Sequence, residues 1–167
     1  MQAKPYINID DKVTEESLNF LSNSQNEDGS FRENGYVLQK EMQSMSGDNS
    51  ASLAAYIFIA LNTNSKLDES VKEMLKKTEE YLIKHMHNTN DTYEISIITY
   101  ALHLHNSTFK NTAFEKMKNC AKTNTRYTYW TKGDNSDVAS VEMTSYGLMT
   151  MMLRKDITSA LPALRYL

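Results

Sequence analysis

Apolar positions along the chain fall into segments of two kinds. From Lys66 to Met86 they are Val71, Leu75, Leu82 and Met86, with Thr78 filling the gap. That spacing predicts a helix with one narrow buried stripe. Its other face carries Glu73 ahead of Lys77 and Glu80 ahead of Lys84, pairs oriented to support an exposed helix surface. Phe109, Ala113, Met117, Cys120 and Ala121 form a second such stripe, backed by Lys110, Lys116, Lys118 and Lys122. The predicted outer helices are therefore 68–86 and 109–122. Between them lie ASLAAYIFIAL (51–61), EISIITYALHL (94–104) and EMTSYGLMTMML (142–153), apolar nearly all round. Helices of that kind are buried on most faces, which places these three in an inner layer.

The inner helices resemble one another. Ala55-Tyr56-Ile57-Phe58, Thr99-Tyr100-Ala101-Leu102 and Ser145-Tyr146-Gly147-Leu148 share a small residue, a tyrosine, a variable residue and a large apolar one. The tyrosines recur at about 45 residues, the period of a helical-hairpin array. Their phenols reach either a polar partner or lumen, or only the core. Asp48, Asp91 and Asp137 each stand just before an inner helix, where a short acceptor caps free backbone N–H groups. Gln25 to Phe31 predicts a tight turn: Gly29 supplies positive φ, Asp28 bonds the following backbone, and Phe31 returns to the core.

Composition narrows the class. The 167 residues are 40% hydrophobic and 23% charged, enough for one globular domain with a core. A net charge of −3 without a long basic block argues against nucleic acid as the main partner. No apolar run reaches membrane-spanning length, and the first residues lack a signal-peptide core. Cys120 is the single cysteine, so no internal disulfide forms.

Candidate chemistry is sparse. The histidines form two pairs, His85/His87 and His103/His105. Side chains two apart on a helix diverge by about 200°, so neither pair chelates alone. Helix-terminal histidines favoured by the helix dipole are the better reading, and no metal is expected. Cys120 sits on an apolar stripe and reads as a structural thiol. No Gly-rich phosphate loop or nucleophile elbow occurs, and no cofactor is expected. Glu41, Glu94 and Glu142 stand near inner-helix starts, where they either line a lumen or simply favour the helix N-terminus. Asn90-Asp91-Thr92 and Asn106-Ser107-Thr108 match the N-glycosylation acceptor pattern, which either marks a secreted glycoprotein or arises by chance in a sequence rich in Asn, Ser and Thr.

QNEDGSF (25–31), VLQKEM (37–42), SLAAYIFIAL (52–61) and VEMTSYGLMTMM (141–152), in this order, resemble the thioester domain of the α-macroglobulin and complement proteins, nearest to the insect thioester-containing proteins. The resemblance covers about Thr14 to Leu167, and the whole of 1–167 is expected to be one partial domain. It implies an all-α fold, an α/α toroid of inner and outer helices, here a partial ring of roughly three and a half hairpins. It also implies a secreted, extracellular protein of innate immunity. Such proteins act not as enzymes but through a cryptic Cys–Gln thioester that acylates microbial surfaces or traps proteases. The partners would be those targets and the parent's other domains, with no nucleic acid and no membrane insertion.

The Gly-Cys-Gly-Glu-Gln thioester motif does not occur in this sequence; the resemblance places it upstream. In family members that react with hydroxyls, a histidine follows the two apolar residues of the VLQKEM segment. Here those residues are Val37 and Leu38, and the position is Gln39. Gln39 is expected to line the thioester pocket beside Val37, Leu38, Glu41 and Met42, without the nucleophile that relays the acyl group. A segment cut from a ring is also expected to leave apolar surface open on its terminal helices, including TSALPALRYL, and so to self-associate. Two alternatives stand beside this reading: a non-covalent protein-binding module of a thioester-lacking relative, and a toroid enzyme of the terpene-cyclase type, for which no Asp-rich motif is visible.

Overall fold

The computed structural model describes residues 6, 8, 10–32, 51–63, 68–133 and 138–167. They form α1 (Asp11–Ser24), α2 (Ala51–Asn62), α3 (Glu69–Asn88), α4 (Thr92–Leu104), α5 (Lys110–Asn119), β1 (Lys122–Thr123), β2 (Thr128–Tyr129), α6 (Val138–Leu153) and α7 (Ile157–Tyr166). The fold is all-α apart from the small β1–β2 ribbon. The chain divides into two compact units, residues 1–82 and 83–167, with the boundary inside α3.

In the first unit, Asp10 caps α1 by accepting the Lys12 N–H at 2.9 Å. α1 leaves Val13 and Phe20 exposed. α2 buries Ala51, Ala54, Ala55, Phe58 and Leu61, but Tyr56 is 63% exposed. The all-round apolar pattern thus overstated the burial of α2. α3 follows its predicted stripe: Val71, Leu75, Thr78 and Leu82 are buried, joined by Met74. Its opposite face is wet, with Lys77 Nζ 2.9 Å from Glu73 Oε1.

In the second unit α4 packs against both α5 and α6, and α7 packs against α6 and β2. Tyr93 to Thr99, Ala101, Leu102 and His103 are all buried, as a centrally packed helix requires. The last turn of α3 adds buried Met86 to this unit. α5 begins at Lys110 and ends at Asn119, so the stripe projected over 109–122 is too long at both ends. Phe109 is exposed and meets His87 edge-on at 6.2 Å between ring centroids. Cys120 is only half-buried, and burial raises its thiol pKa.

Beyond α5 the chain turns into the ribbon, where Lys122 pairs with Tyr129 and Thr123 with Thr128. The turn has a local cause: Asn124 Oδ1 accepts the N–H groups of Arg126 and Tyr127 at 2.9 and 2.8 Å. The ribbon delivers Trp130, fully buried, into the core. Its indole N–H donates to Met117 O at 2.8 Å and its backbone N–H to Thr144 Oγ1 at 3.2 Å. Gly147 of α6 makes room for it, since a Cβ there would stand 2.8 Å from ring atoms Cε3 and Cη2. Tyr129 stacks on Tyr166 of α7 at 4.6 Å, nearly parallel.

α6 departs from the prediction of burial on most faces. Val141, Met149, Met152 and Leu153 are exposed, and on α7 so are Ile157, Leu161 and Leu164. The buried side of α7 is a pair of small residues, Ala160 and Ala163. Apolar surface was expected on the terminal helix and is present on α7, whereas the exposed residues of α6 were expected to be buried.

Candidate functional site

In the first unit the turn 25–31 docks on α3. Asp28 Oδ1 accepts both the Ser30 N–H and its hydroxyl, at 3.0 and 2.6 Å. Asn26 N–H donates to Ser30 O at 2.8 Å, and Gln25 and Phe31 close the loop as an antiparallel bridge. Gly29 takes a φ of 90°, and Phe31 is buried. Each role expected of these residues is met. The loop is anchored by Gln25, whose amide donates to Met74 O at 3.1 Å and Thr78 Oγ1 at 3.0 Å. A polar cleft of about 310 Å³ opens beside it, lined by Ser22, Gln25, Asn26, Glu27, Glu73 and Lys77 among others. The loop's last described residue, Arg32, is held by its N–H on Ser24 O at 3.0 Å and its guanidinium on Asn23 O at 2.9 Å.

In the second unit, polar side chains gather at the starts of α4 and α6. Asp91 is the N-cap of α4, accepting from Tyr93 N at 2.8 Å and Glu94 N at 3.4 Å. Its other oxygen lies 2.7 Å from Lys132 Nζ. Glu94 Oε2 accepts the Thr89 hydroxyl at 2.5 Å and faces His85 Nε2 at 2.9 Å. Burial by itself raises the Glu94 pKa, but the hydrogen bonds from His85 and Thr89, with the His85 and Lys132 charges, outweigh it and hold the carboxyl below its ordinary value. Glu142 Oε1 accepts the phenols of Tyr93 at 2.7 Å and Tyr146 at 3.2 Å. Burial, then the bond to Glu142, push the Tyr93 phenol far above its ordinary value, so it stays a donor. Tyr100 lies 5.9 Å from Tyr146, ring to ring.

Each of these acids is therefore engaged by neighbouring donors. Of the repeat tyrosines, Tyr146 is tied to a carboxylate, Tyr100 packs on it, and Tyr56 faces solvent. The Tyr93–Glu142 bond joins residues far apart in sequence, and no local pattern announces it.

His103 corrects the dipole reading. It is buried, its Nδ1–H donates to Thr99 O at 2.8 Å, and Arg154 donates to its Nε2 at 3.1 Å. Desolvation first, then the Arg154 and Lys110 charges, lower its pKa despite the Thr99 bond. It is a neutral core histidine, with Arg154 also stacked 4.0 Å over Phe114 and bonded to Asn111 at 2.7 Å. Among the described residues no cluster of three or more His, Cys, Asp or Glu could hold a metal. No described helix is long and apolar enough to cross a membrane.

Val37, Leu38, Gln39, Glu41 and Met42 lie outside the described residues, as do Asp48 and Asp137. Asn90 and Asn106 are both described and both exposed, one before α4 and one after it.

Residues 1–167 match the family described as the A-macroglobulin TED domain. The chain is similar to thioester-containing protein 1 of Anopheles gambiae, 27% identical over 168 residues to allele S3 and 29% over 170 residues to allele R1. Each match covers 99% of this chain but only 12% of the mosquito protein. It is also 30% identical over 154 residues to complement C3 of Lethenteron camtschaticum, covering 84% of this chain and 9% of that protein.

Proposed function

From a chain that belongs to the A-macroglobulin TED domain family, we propose a segment of a secreted, complement-like thioester protein that opsonises microbes or traps proteases covalently. The family match along the whole chain carries this reading. The surrounding ring is an α/α toroid to which these helices contribute hairpins, and the reactive Cys–Gln thioester belongs to another part of the parent.

Gln39 lines the thioester pocket in this proposal, with Val37, Leu38, Glu41 and Met42 around it. A histidine there would attack the thioester carbonyl, form an acyl-imidazole and release a thiolate that serves as base. The amide of Gln39 has its nitrogen lone pair delocalised and cannot form that intermediate. An intact thioester in the parent would then pass its acyl group directly to amines. The test is to activate the full-length parent and compare capture of glycerol with capture of a small amine. Amine transfer should dominate, and Gln39→His should shift transfer toward glycerol. A wild type that already prefers glycerol, or a histidine variant that changes nothing, refutes the assignment of Gln39.

A further inference from the structure

The two N-glycosylation sequons bracket α4, and we propose that Asn90 and Asn106 both carry N-linked oligosaccharides. This rests on the secretory reading above, because the modification needs the secretory route. Both asparagines are exposed, and among the described residues neither donates a hydrogen bond from its amide nitrogen. Other asparagines do: Asn26, Asn62 and Asn88 donate from Nδ2 to Ser30 Oγ, Phe58 O and Lys84 O at 2.8, 2.8 and 3.0 Å.

Asn106 is held in a form that accepts a sugar without rearrangement. It takes a φ of 59° just past the end of α4. Its N–H donates to His103 O at 3.0 Å, and the next N–H, of Ser107, donates to Leu102 O at 2.9 Å. This is a Schellman cap with asparagine in the left-handed position. Its Oδ1 accepts from Lys110 Nζ. Glycosylation joins Nδ2 to the anomeric carbon of an oligosaccharide activated as a lipid pyrophosphate. The C–N bond forms, the C–O bond to the pyrophosphate breaks, and Nδ2 gives up one proton. Oδ1 remains a carbonyl oxygen, so the Lys110 bond and the cap survive. Asn90 has the same freedom, since Asp91, not Asn90, caps α4 and pairs with Lys132.

α4 has 13 residues, so its ends are about 20 Å apart. A glycan beyond each end places an oligosaccharide at both ends of α4.

The test uses the full parent secreted from insect cells. Enzymatic removal of N-glycans in heavy-oxygen water converts each occupied asparagine to labelled aspartate, read by peptide mass spectrometry. Label at both 90 and 106 is expected. Thr92→Ala and Thr108→Ala should each lose one label and one mass step, while Thr92→Ser and Thr108→Ser keep them. A secreted parent unlabelled at either position overturns the assignment there, with secretion itself intact. A parent that stays in the cytosol overturns the secretory reading instead. Appending a leader peptide in that case still decides the two asparagines, and unlabelled residues overturn the glycan assignment.

Discussion

Gly29 lies so close to Lys77 that a Cβ built on it would stand 2.5 Å from the Lys77 carbonyl carbon. The turn and α3 meet backbone to backbone, and the approach sets the height at which Gln25 reaches Met74 and Thr78. Two demands coincide at one residue, a left-handed backbone and no side chain.

Gly29→Ala should therefore be costly. The left-handed backbone adds about 1–2 kcal/mol, and displacing a packed backbone adds about 1–3 kcal/mol. A loss of about 3 kcal/mol is expected in chemical denaturation followed by far-UV circular dichroism. Glu27→Ala, on the exposed part of the same turn, should move stability by less than about 0.5 kcal/mol. Equal midpoints for the two variants would contradict the contact.

Glu94 gives an acid limb to the stability curve. Its folded pKa is depressed, so on acidification the unfolded chain binds the proton first. The contribution is complete above the unfolded value of about 4.3 and is lost as pH falls through the folded value. Glu94→Gln keeps the shape but loses the charge-assisted bonds to His85 and Thr89, and should cost about 1–2 kcal/mol at neutral pH. It should also flatten the dependence below pH of about 4.3. Identical acid unfolding of variant and wild type would refute the network.

His103 acts at higher pH with the same sign. Its folded pKa is lowered, so the unfolded chain is protonated first, near a pH of about 6.5. Stability from this group is constant above that value and declines as pH falls from there to the folded pKa. Proton NMR of the imidazole should show titration below the free-histidine range. Arg154→Met removes a nearby charge and should move that titration upward. A wild-type ring titrating above about 6.5 would contradict the neutral assignment.

The exposed apolar residues of α6 and α7 predict self-association of the 167-residue chain. Sedimentation velocity should show species heavier than the monomer, and a hydrophobic dye should bind. Leu161→Glu with Leu164→Glu, both on exposed positions of α7, should lower both signals. A monomeric, dye-silent wild type would show that this surface is innocuous in water.

Period and polarity along the chain announced most of the helices, because a stripe such as Val71, Leu75, Thr78 and Leu82 is a direct image of one buried face. They also announced the turn 25–31, where Asp28 and Gly29 have strong local preferences. Their reach ended where burial depends on neighbours distant in sequence. The all-round apolar pattern of α2 assigns Tyr56, exposed, and Phe58, buried, to the same buried helix. The α5 stripe continued on paper through Cys120 and Ala121, but Asn124 bends the backbone and the β-branched and aromatic run after it forms the ribbon. At the candidate site, Asp91 was legible as a cap, whereas the partners of Glu94 and Glu142 required the fold. Gln39 remains a reading of sequence resemblance.

Trp130 is the single tryptophan of the chain, and its ring is sealed against Met117, Thr144 and Gly147. Its emission therefore reports the second unit alone, while backbone circular dichroism sums helices from both. Following the two signals through one thermal scan turns the division of the chain into an observable. Superimposed curves mean that residues 1–82 and 83–167 unfold as one cooperative block, and displaced curves mean that each carries its own melting temperature.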